Sequence, residues 1–510
     1  MRKILSIAVF VLFVAFFPAC RKDKLIKDAS AKLAFTADSI LFDTVFTSIG
    51  STTKLFRVHN NNNGSINISS IRLARGSASF YHLNVDGLAG QSFSNIEIAA
   101  HDSIYVFVKV TIDPNADPSV SPFIYKDSIL FETNGNNQHV DLIAFGQNAY
   151  YHMPNNKIII SNTQALYYSL DTNINGSACV TWKVDKPHLI YGYLVVDSLH
   201  NLTIPAGGKI YIHNNGGIWV YRYGCIKVNG TQSSPVTFQG DRFEADYKDL
   251  PGQWDRIWIN EGSNANCGGN KNVINYAIIK NGFIGVQAGY SVLDGYGGNT
   301  IGGEPRNLSL TNTIIQNCSF AGILAHYYNI TGGNDVVSNC GKYLCALQYG
   351  GNYSFTQCTF ANYWSQTNNS SSGSQTRTTP SFFFNNYDGS TLFPDSSSFN
   401  NCILVGNLSE EFQFDSIAGN FSAPFVLKYN YCLLTTQQNT SNTNVFNNCI
   451  INNSSSTAAP SFVNPSTYDF HLQIYSAAYQ SGNSFYCSPW PTTIDGNSRC
   501  SSGTPNMGAY

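Results

Sequence analysis

Ala277-Ile278-Ile279-Lys280-Asn281 returns downstream as Thr313-Ile314-Ile315-Gln316-Asn317, Cys358-Thr359-Phe360-Ala361-Asn362 and Cys449-Ile450-Ile451-Asn452-Asn453. The shared pattern is a small residue, two mostly apolar residues, a variable residue and Asn. Looser copies start at Cys402-Ile403-Leu404, with Asn407 one place late, and at Cys432-Leu433-Leu434, with no Asn. Recurrence every few tens of residues is the mark of a solenoid, in which each unit buries its apolar face only against the next. Each unit reads as a short strand closed by a tight turn. In a parallel β-helix, equivalent residues of successive coils stack at the inter-strand spacing of about 4.8 Å. The small residue suits the inward position that begins the strand, and Ile or Leu fills the interior. Asn tolerates the left-handed backbone of a sharp corner, and stacked Asn amides can bond from coil to coil. These Asn residues are therefore expected to be structural. Cys358, Cys402, Cys432 and Cys449 stand where other coils have Ala277 and Thr313, so they are expected to act as small buried hydrophobes.

Leu202-Thr203-Ile204-Pro205-Ala206-Gly207-Gly208, then Ile218-Trp219-Val220, Ile226-Lys227-Val228-Asn229-Gly230-Thr231 and Pro235-Val236-Thr237-Phe238, resembles the opening coils of bacterial right-handed parallel β-helix repeat proteins. The tail resembles the end of the same family in Phe462-Val463-Asn464-Pro465, Asp469-Phe470-His471-Leu472, Asp495-Gly496-Asn497-Ser498-Arg499 and Met507-Gly508-Ala509-Tyr510. The resemblance implies a right-handed β-helix over 183–486, entered through a connector at 149–182 and closed by a cap segment at 487–510. Trp182 to Val196 is expected to cover the open end, because an uncovered coil is a sheet edge that invites aggregation. The fold hosts lyases, hydrolases and adhesins alike, so it does not by itself define an activity.

Upstream, residues 33–148 show short alternating runs at Ser39–Thr47, Lys54–Asn60, Ser65–Leu73, Ser103–Ile112, Lys126–Thr133 and His139–Phe145, separated by Asn-, Gly- and Pro-rich turns. Strands at such spacing read as an antiparallel β-sandwich. The domain resembles immunoglobulin-like modules of exported bacterial proteins, which serve as spacers or adhesive units. The whole chain is expected to be all-β.

Arg2 and Lys3 precede an apolar run from Ile4 to Phe17 and then Pro18-Ala19-Cys20. That is the layout of a secretory signal over 1–19. Its end at a cysteine resembles the bacterial lipoprotein signal, which implies lipidation of Cys20 and a tether over 20–32. The expected address is the cell envelope, at the outer membrane, with its periplasmic and external faces both left open, and the membrane is a partner through the lipid. A net charge of −2 and 12% charged residues argue against nucleic acid as a partner. Cys487 and Cys500 flank the last loop outside the repeat and are the disulfide candidates of an exported chain.

Catalytic motifs are absent: there is no zinc-protease helix signature, nucleophile elbow, phosphate loop or paired-cysteine zinc spacing. No metal and no cofactor is expected. The densest charge is Asp241, Arg242, Glu244, Asp255 and Arg256, around Trp254. Such groups could supply calcium ligands and a base for polysaccharide elimination, as in pectate lyases on this fold. The alternative is a loop held by ion pairs, with Trp254 packed on the solenoid. Asp335, Glu410 and Glu411 are the acids that could complete a site. Tyr327, Tyr328, Tyr363 and Trp364 could form an aromatic platform for sugars, or pack the core. Asp-Ser/Thr-apolar triplets at Asp38, Asp43, Asp102, Asp127, Asp197 and Asp415 resemble O-glycosylation sites of exported Bacteroidetes-type proteins, and also read as turns entering strands. The leading expectation is an envelope lipoprotein presenting a β-helix to a glycan or surface partner. The alternatives are a polysaccharide lyase or glycosidase on the same scaffold, and a structural envelope protein.

Overall fold

A computed structural model describes residues 24–113, 123–161, 164–170, 178–260, 272–289, 306–364, 377–389, 391–416, 425–453, 458–500 and 503–510. The expected signal, Cys20 and most of the Ser- and Asn-rich stretch 366–379 lie outside these. The chain divides into two compact units, Met1–Ala149 and Tyr150–Tyr510.

The first unit is an immunoglobulin-like β-sandwich. Its strands are β1 (Ala34–Phe35), β2 (Ser39–Phe46), β3 (Lys54–His59), β4 (Ile66–Leu73), β5 (Tyr81–Val85), β6 (Leu88–Gly90), β7 (Ser92–Ile98), β8 (Ser103–Val110), β9 (Phe123–Thr133) and β10 (Asn136–Gln147). One sheet runs β1-β3-β8-β5-β6 and the other β2-β10-β9-β4-β7. Alternation drives the packing: β8 buries Ile104, Val106, Val108 and Val110 and turns Tyr105 and Lys109 out. Strand β7 is not legible in the sequence because it is mostly exposed and buries only Ile98, so it has no apolar alternation.

The second unit is a parallel β-helix with three faces. Tyr193–Val196, Asn201–Pro205 and Lys209–Ile212 make one coil, and Gly217 then pairs in register with Tyr193 to begin the next. Call the face holding Lys209–Ile212 the first, that holding Tyr193–Val196 the second, and that holding Asn201–Pro205 the third. Every copy of the repeat lies on the first face, in a ladder running Ala277–Lys280, Ile314–Gln316, Val336–Ser338, Thr359–Asn362, Ile403–Gly406, Leu433–Thr435 and Ile450–Asn452. The ladder contains one copy that the sequence pattern does not single out, Asp335-Val336-Val337-Ser338-Asn339, with Asp335 at the small-residue position.

Local backbone chemistry sets the corners. The residue before each small one is left-handed: Tyr276, Asn312, Asn334, Gln357, Asn401, Tyr431 and Asn448 have φ between 47° and 59°. At the other end of the strand Asn281, Asn317 and Asn339 are left-handed too. Amides stack between coils as expected, Asn317 Nδ2 donating to Asn281 Oδ1 at 2.8 Å and Asn334 Nδ2 to Asn312 Oδ1 at 3.1 Å. Inside, like side chains stack on like. Phe355–Phe399, Phe399–Tyr429 and Tyr429–Phe446 have centroids 5.4, 5.4 and 5.5 Å apart and nearly parallel rings.

Both ends differ from expectation. Tyr150–His152 pairs with His188–Ile190, and a hairpin of Asn156–Ser161 and Gln164–Leu170 extends the second face onto Tyr193–Val196, so the stretch 149–182 carries solenoid strands rather than a bare connector. Trp182 stacks on His188 at 3.8 Å and joins the core. Among the described residues the tail does not cap the last coil. From Ala458 onward it lies along the outside of the first face, where Phe462, Phe470, Ala478, Ile494, Met507 and Ala509 cover Val336, Ala361, Ile403, Val405 and Leu433. Apolar outward positions on that face require this cover. Gly508 N donates to Asn401 O at 2.8 Å, Arg499 Nη1 to Asn334 Oδ1 at 2.7 Å, and a disulfide joins Cys487 to Cys500 with Cα atoms 5.8 Å apart. Phe446, Cys449 and Ile451 of the final coil stay half-buried.

Candidate functional site

On the second face, inward Ile218, Val220, Ile257, Ile259, Val286 and Ala288 alternate with residues that must point out. Register places Trp219, Trp258, Gln287, Leu324, Ala346 and Phe383 one above another on successive coils. The two indoles lie 5.0 Å apart and 11° from parallel, with Tyr221 edge-on to Trp219 at 5.2 Å. Their N–H groups are occupied, Trp219 Nε1 donating to Asn260 Oδ1 and Trp258 Nε1 to Gly289 O, each at 3.2 Å. Further along, Leu324 and Ala346 form an apolar patch outside the main core with Phe320, Tyr343 and Phe383.

Planar polar side chains flank this row. Arg256 Nη1 donates to Gln287 Oε1, and its Nε donates to Asp255 Oδ1 at 2.9 Å. Tyr193 OH donates to the other oxygen of Asp255. Two coils beyond, His326 Nε2 meets Gln348 Oε1 at 2.8 Å. Burial, and to a lesser extent the nearby Arg256 charge, hold the His326 imidazole down to about 4 against the opposing hydrogen bond to Gln348, so the ring is neutral at pH 7. A neutral ring donating from Nε2 leaves Nδ1 as an acceptor, and this buried Nδ1 has no partner among the described residues. Arg256, Gln348, Trp219 and Trp258 are half-buried, while Gln287 and His326 are buried among them. Such a surface offers planar donors and acceptors beside aromatic and apolar contacts.

The charged cluster read from sequence is split. Asp255 and Arg256 belong to this face, but Asp241 accepts from His213 Nδ1 at 2.7 Å, and His213 stacks on Tyr191 at 4.2 Å. Arg242 Nε donates to Glu244 at 2.9 Å and lies 3.7 Å over the Tyr247 ring. Trp254 is in the core, its Nε1 donating to Lys280 O at 2.9 Å. Ion pairs and Trp254 thus hold this loop. The other acids are taken up as well. Asp335 is buried in the first-face column, Glu411 is bound by Arg377, and Glu410 accepts from Thr436 Oγ1. Among the described residues no cluster of three or more His, Cys, Asp or Glu could hold a metal ion.

The aromatic platform is corrected. Tyr328 is 1% exposed and its OH donates to Asn260 O at 3.1 Å; Trp364 is 7% exposed. Tyr363 packs on Phe462, and Tyr327 on Phe393. A register shift between His326 and Tyr328, with Tyr327 left-handed at φ 47°, turns Tyr328 inward. Of the Asp-Ser/Thr triplets, Asp43, Asp102, Asp127 and Asp197 each accept from the next residue's N–H at 2.7–2.8 Å, the geometry of a turn entering a strand. Sequence reading missed Trp219, Trp258, Gln287, His326 and Gln348 as a group. The usable signal was the single polar or bulky residue between two inward apolar ones, as in Ile257-Trp258-Ile259 and Val286-Gln287-Ala288.

No protein-family profile and no curated protein matches the chain. Among solved structures, a protein of unknown function from Porphyromonas gingivalis W83 aligns at 13% identity over 26% of this chain, with a TM-score of 0.18; the alignment spans about half, 51%, of that protein's length. The catalytic unit of a GH87 alpha-1,3-glucanase from Streptomyces thermodiastaticus aligns at 10% identity over 74% of this chain and 78% of its own, with a TM-score of 0.26. A family 123 glycoside hydrolase from Clostridium perfringens aligns at 12% identity over 24% and 28%, with a TM-score of 0.18. At such scores the likenesses extend to no activity of this chain.

Proposed function

We propose that this protein is a cell-envelope lipoprotein, anchored through Cys20 at the outer membrane, whose β-helix binds a polysaccharide along its second face. The observation that carries the reading is the in-register row Trp219, Trp258 and Gln287, with Arg256 and Gln348 beside it and the half-buried Phe320, Tyr343 and Phe383, packed on Leu324 and Ala346, beyond. Polar groups that recognise hydroxyls next to apolar and aromatic surface are what sugar rings require, and a long ladder of stacked coils suits an extended polymer. Asp255 is tied to Arg256 and Tyr193, and a binding role makes no demand on it as an acid or base. The sandwich serves as the spacer.

The test is incubation of the purified protein with a panel of acidic and neutral polysaccharides, with and without calcium. Retention on immobilised polymer without new reducing ends or unsaturated sugars supports the reading. Product formation would replace it with a lyase or glycosidase, and loss of both signals would leave a structural or protein-binding role.

A further inference from the structure

The first-face ladder sets Asp335, Cys358, Cys402, Cys432 and Cys449 in one column on five successive coils, because Val336 pairs with Thr359, Thr359 with Ile403, Ile403 with Leu433 and Leu433 with Ile450. Each sulfur leans back onto the preceding coil. Cys358 N donates to Cys402 Sγ and Cys402 N to Cys432 Sγ, both at 3.4 Å, while Cys449 Sγ donates to Tyr429 O at 3.3 Å. Cys358, Cys402 and Cys432 are fully buried, and Cys449, on the last strand of the ladder, is half-buried. Neighbouring strands lie about 4.8 Å apart, and a disulfide spans Cα separations of about 4.4–6.8 Å. Backbone adjustment is feasible at this one rung, since among the described residues Ile450–Asn452 pairs with the ladder on one side only.

We propose that Cys449 and Cys432 form a redox-responsive pair, oxidised by a disulfide-bearing thiol carrier to a disulfide that staples the last two coils. The Cys449 thiol releases its proton to water, and its thiolate attacks one sulfur of the carrier disulfide, giving a mixed disulfide and releasing one carrier thiolate. Cys432 gives its proton to that thiolate, and its sulfur attacks Cys449 Sγ and expels the second carrier thiolate, which takes a proton from water. Two protein thiols and one carrier disulfide become one protein disulfide and two carrier thiols. A hydrogen bond from Cys432 holds the Cys449 thiol below its ordinary range, which favours the attacking thiolate. Cys358 and Cys402, buried deeper in the column, stay reduced.

The experiment treats the folded, reduced protein with oxidised glutathione, quenches with an alkylating agent and maps peptides by mass spectrometry. The expected result is a Cys432–Cys449 cross-link lighter by two hydrogens, with Cys358 and Cys402 alkylated only after denaturation. Cys432→Ser should stop at one glutathionyl group on Cys449, and Cys449→Ser should leave Cys432 unmodified. An unreacted Cys449 in the wild-type protein, a persistent wild-type adduct, or a cross-link to another cysteine overturns the proposal, whether or not either variant folds.

Discussion

Trp219 and Trp258 are register partners on adjacent coils with rings 5.0 Å apart, and the next residue of their outward row is Gln287, which accepts from Arg256. The row ties the aromatic surface to Gln287, which the chain separates from Trp258 by a coil. Gln348→Ala and Trp258→Ala are each expected to weaken polysaccharide retention by about tenfold, equivalent to about 1.4 kcal/mol. Tyr327→Ala should leave it unchanged. Affinity electrophoresis in polymer-containing gels, with circular dichroism to confirm folding, checks both.

His188 Nε2 donates to Lys183 O at 2.8 Å, so its Nδ1 accepts from His152 Nε2 at 2.9 Å, a bond that is lost when His188 takes up a second proton. Burial is the largest cause that pushes His152 down to about 3 and His188 down to about 4. In the unfolded chain both titrate near 6.5, so between these values the unfolded state binds more protons and stability falls as pH drops from about 6.5 toward 4. Urea midpoints at about pH 7.5 and 4.5 should show the loss, and His152→Gln should flatten it.

Asp395 is 1% exposed, with Oδ1 accepting from Ser397 and Oδ2 lacking a partner among the described residues. Burial pushes its carboxyl up to about 7, so the folded state holds the proton that the unfolded state releases. Its penalty is absent below about pH 3.8 and grows as pH rises to about 7. Asp395→Asn should therefore stabilise the protein at about pH 8, on the order of 3 kcal/mol, and change little at about pH 3.5, measured by chemical denaturation.

Arg377 and Glu411 have fully buried side chains joined by two hydrogen bonds of 2.8 and 2.6 Å, and Glu411 also accepts from Ser381 Oγ at 2.6 Å. Arg377→Met leaves Glu411 buried and uncompensated, at an expected cost of about 3–5 kcal/mol. Joining it to Glu411→Leu should recover most of that loss in a thermal or urea unfolding series.

The first face is legible in the amino-acid order because its signal is local. A small residue at the inward start, Ile or Leu inside and Asn at the corner are each dictated by the strand and turn that hold them. Even there, Asp335 hides one copy, since a carboxylate is not expected at a small-residue position. Buried, it is held by Thr313 N and Gly333 N at 3.0 and 2.9 Å, partners that no pattern in the chain announces. The aromatic platform fails for a related reason: one left-handed residue, Tyr327, reverses the facing that alternation assigns to Tyr328.

From the sequence alone follow the all-β character, the sandwich before the solenoid and the column that places Cys358, Cys402, Cys432 and Cys449 in equivalent coils, because periodicity and turn chemistry act within a few residues. Only the tertiary structure decided that Arg256, Gln287, His326 and Gln348 share one face, that Asp241 is taken up by His213 of the preceding coil and Glu244 by Arg242, and that the tail covers a flank instead of the end. Outward positions obey no repeating pattern, and their neighbours are set by the stacking of coils whose loops differ in length.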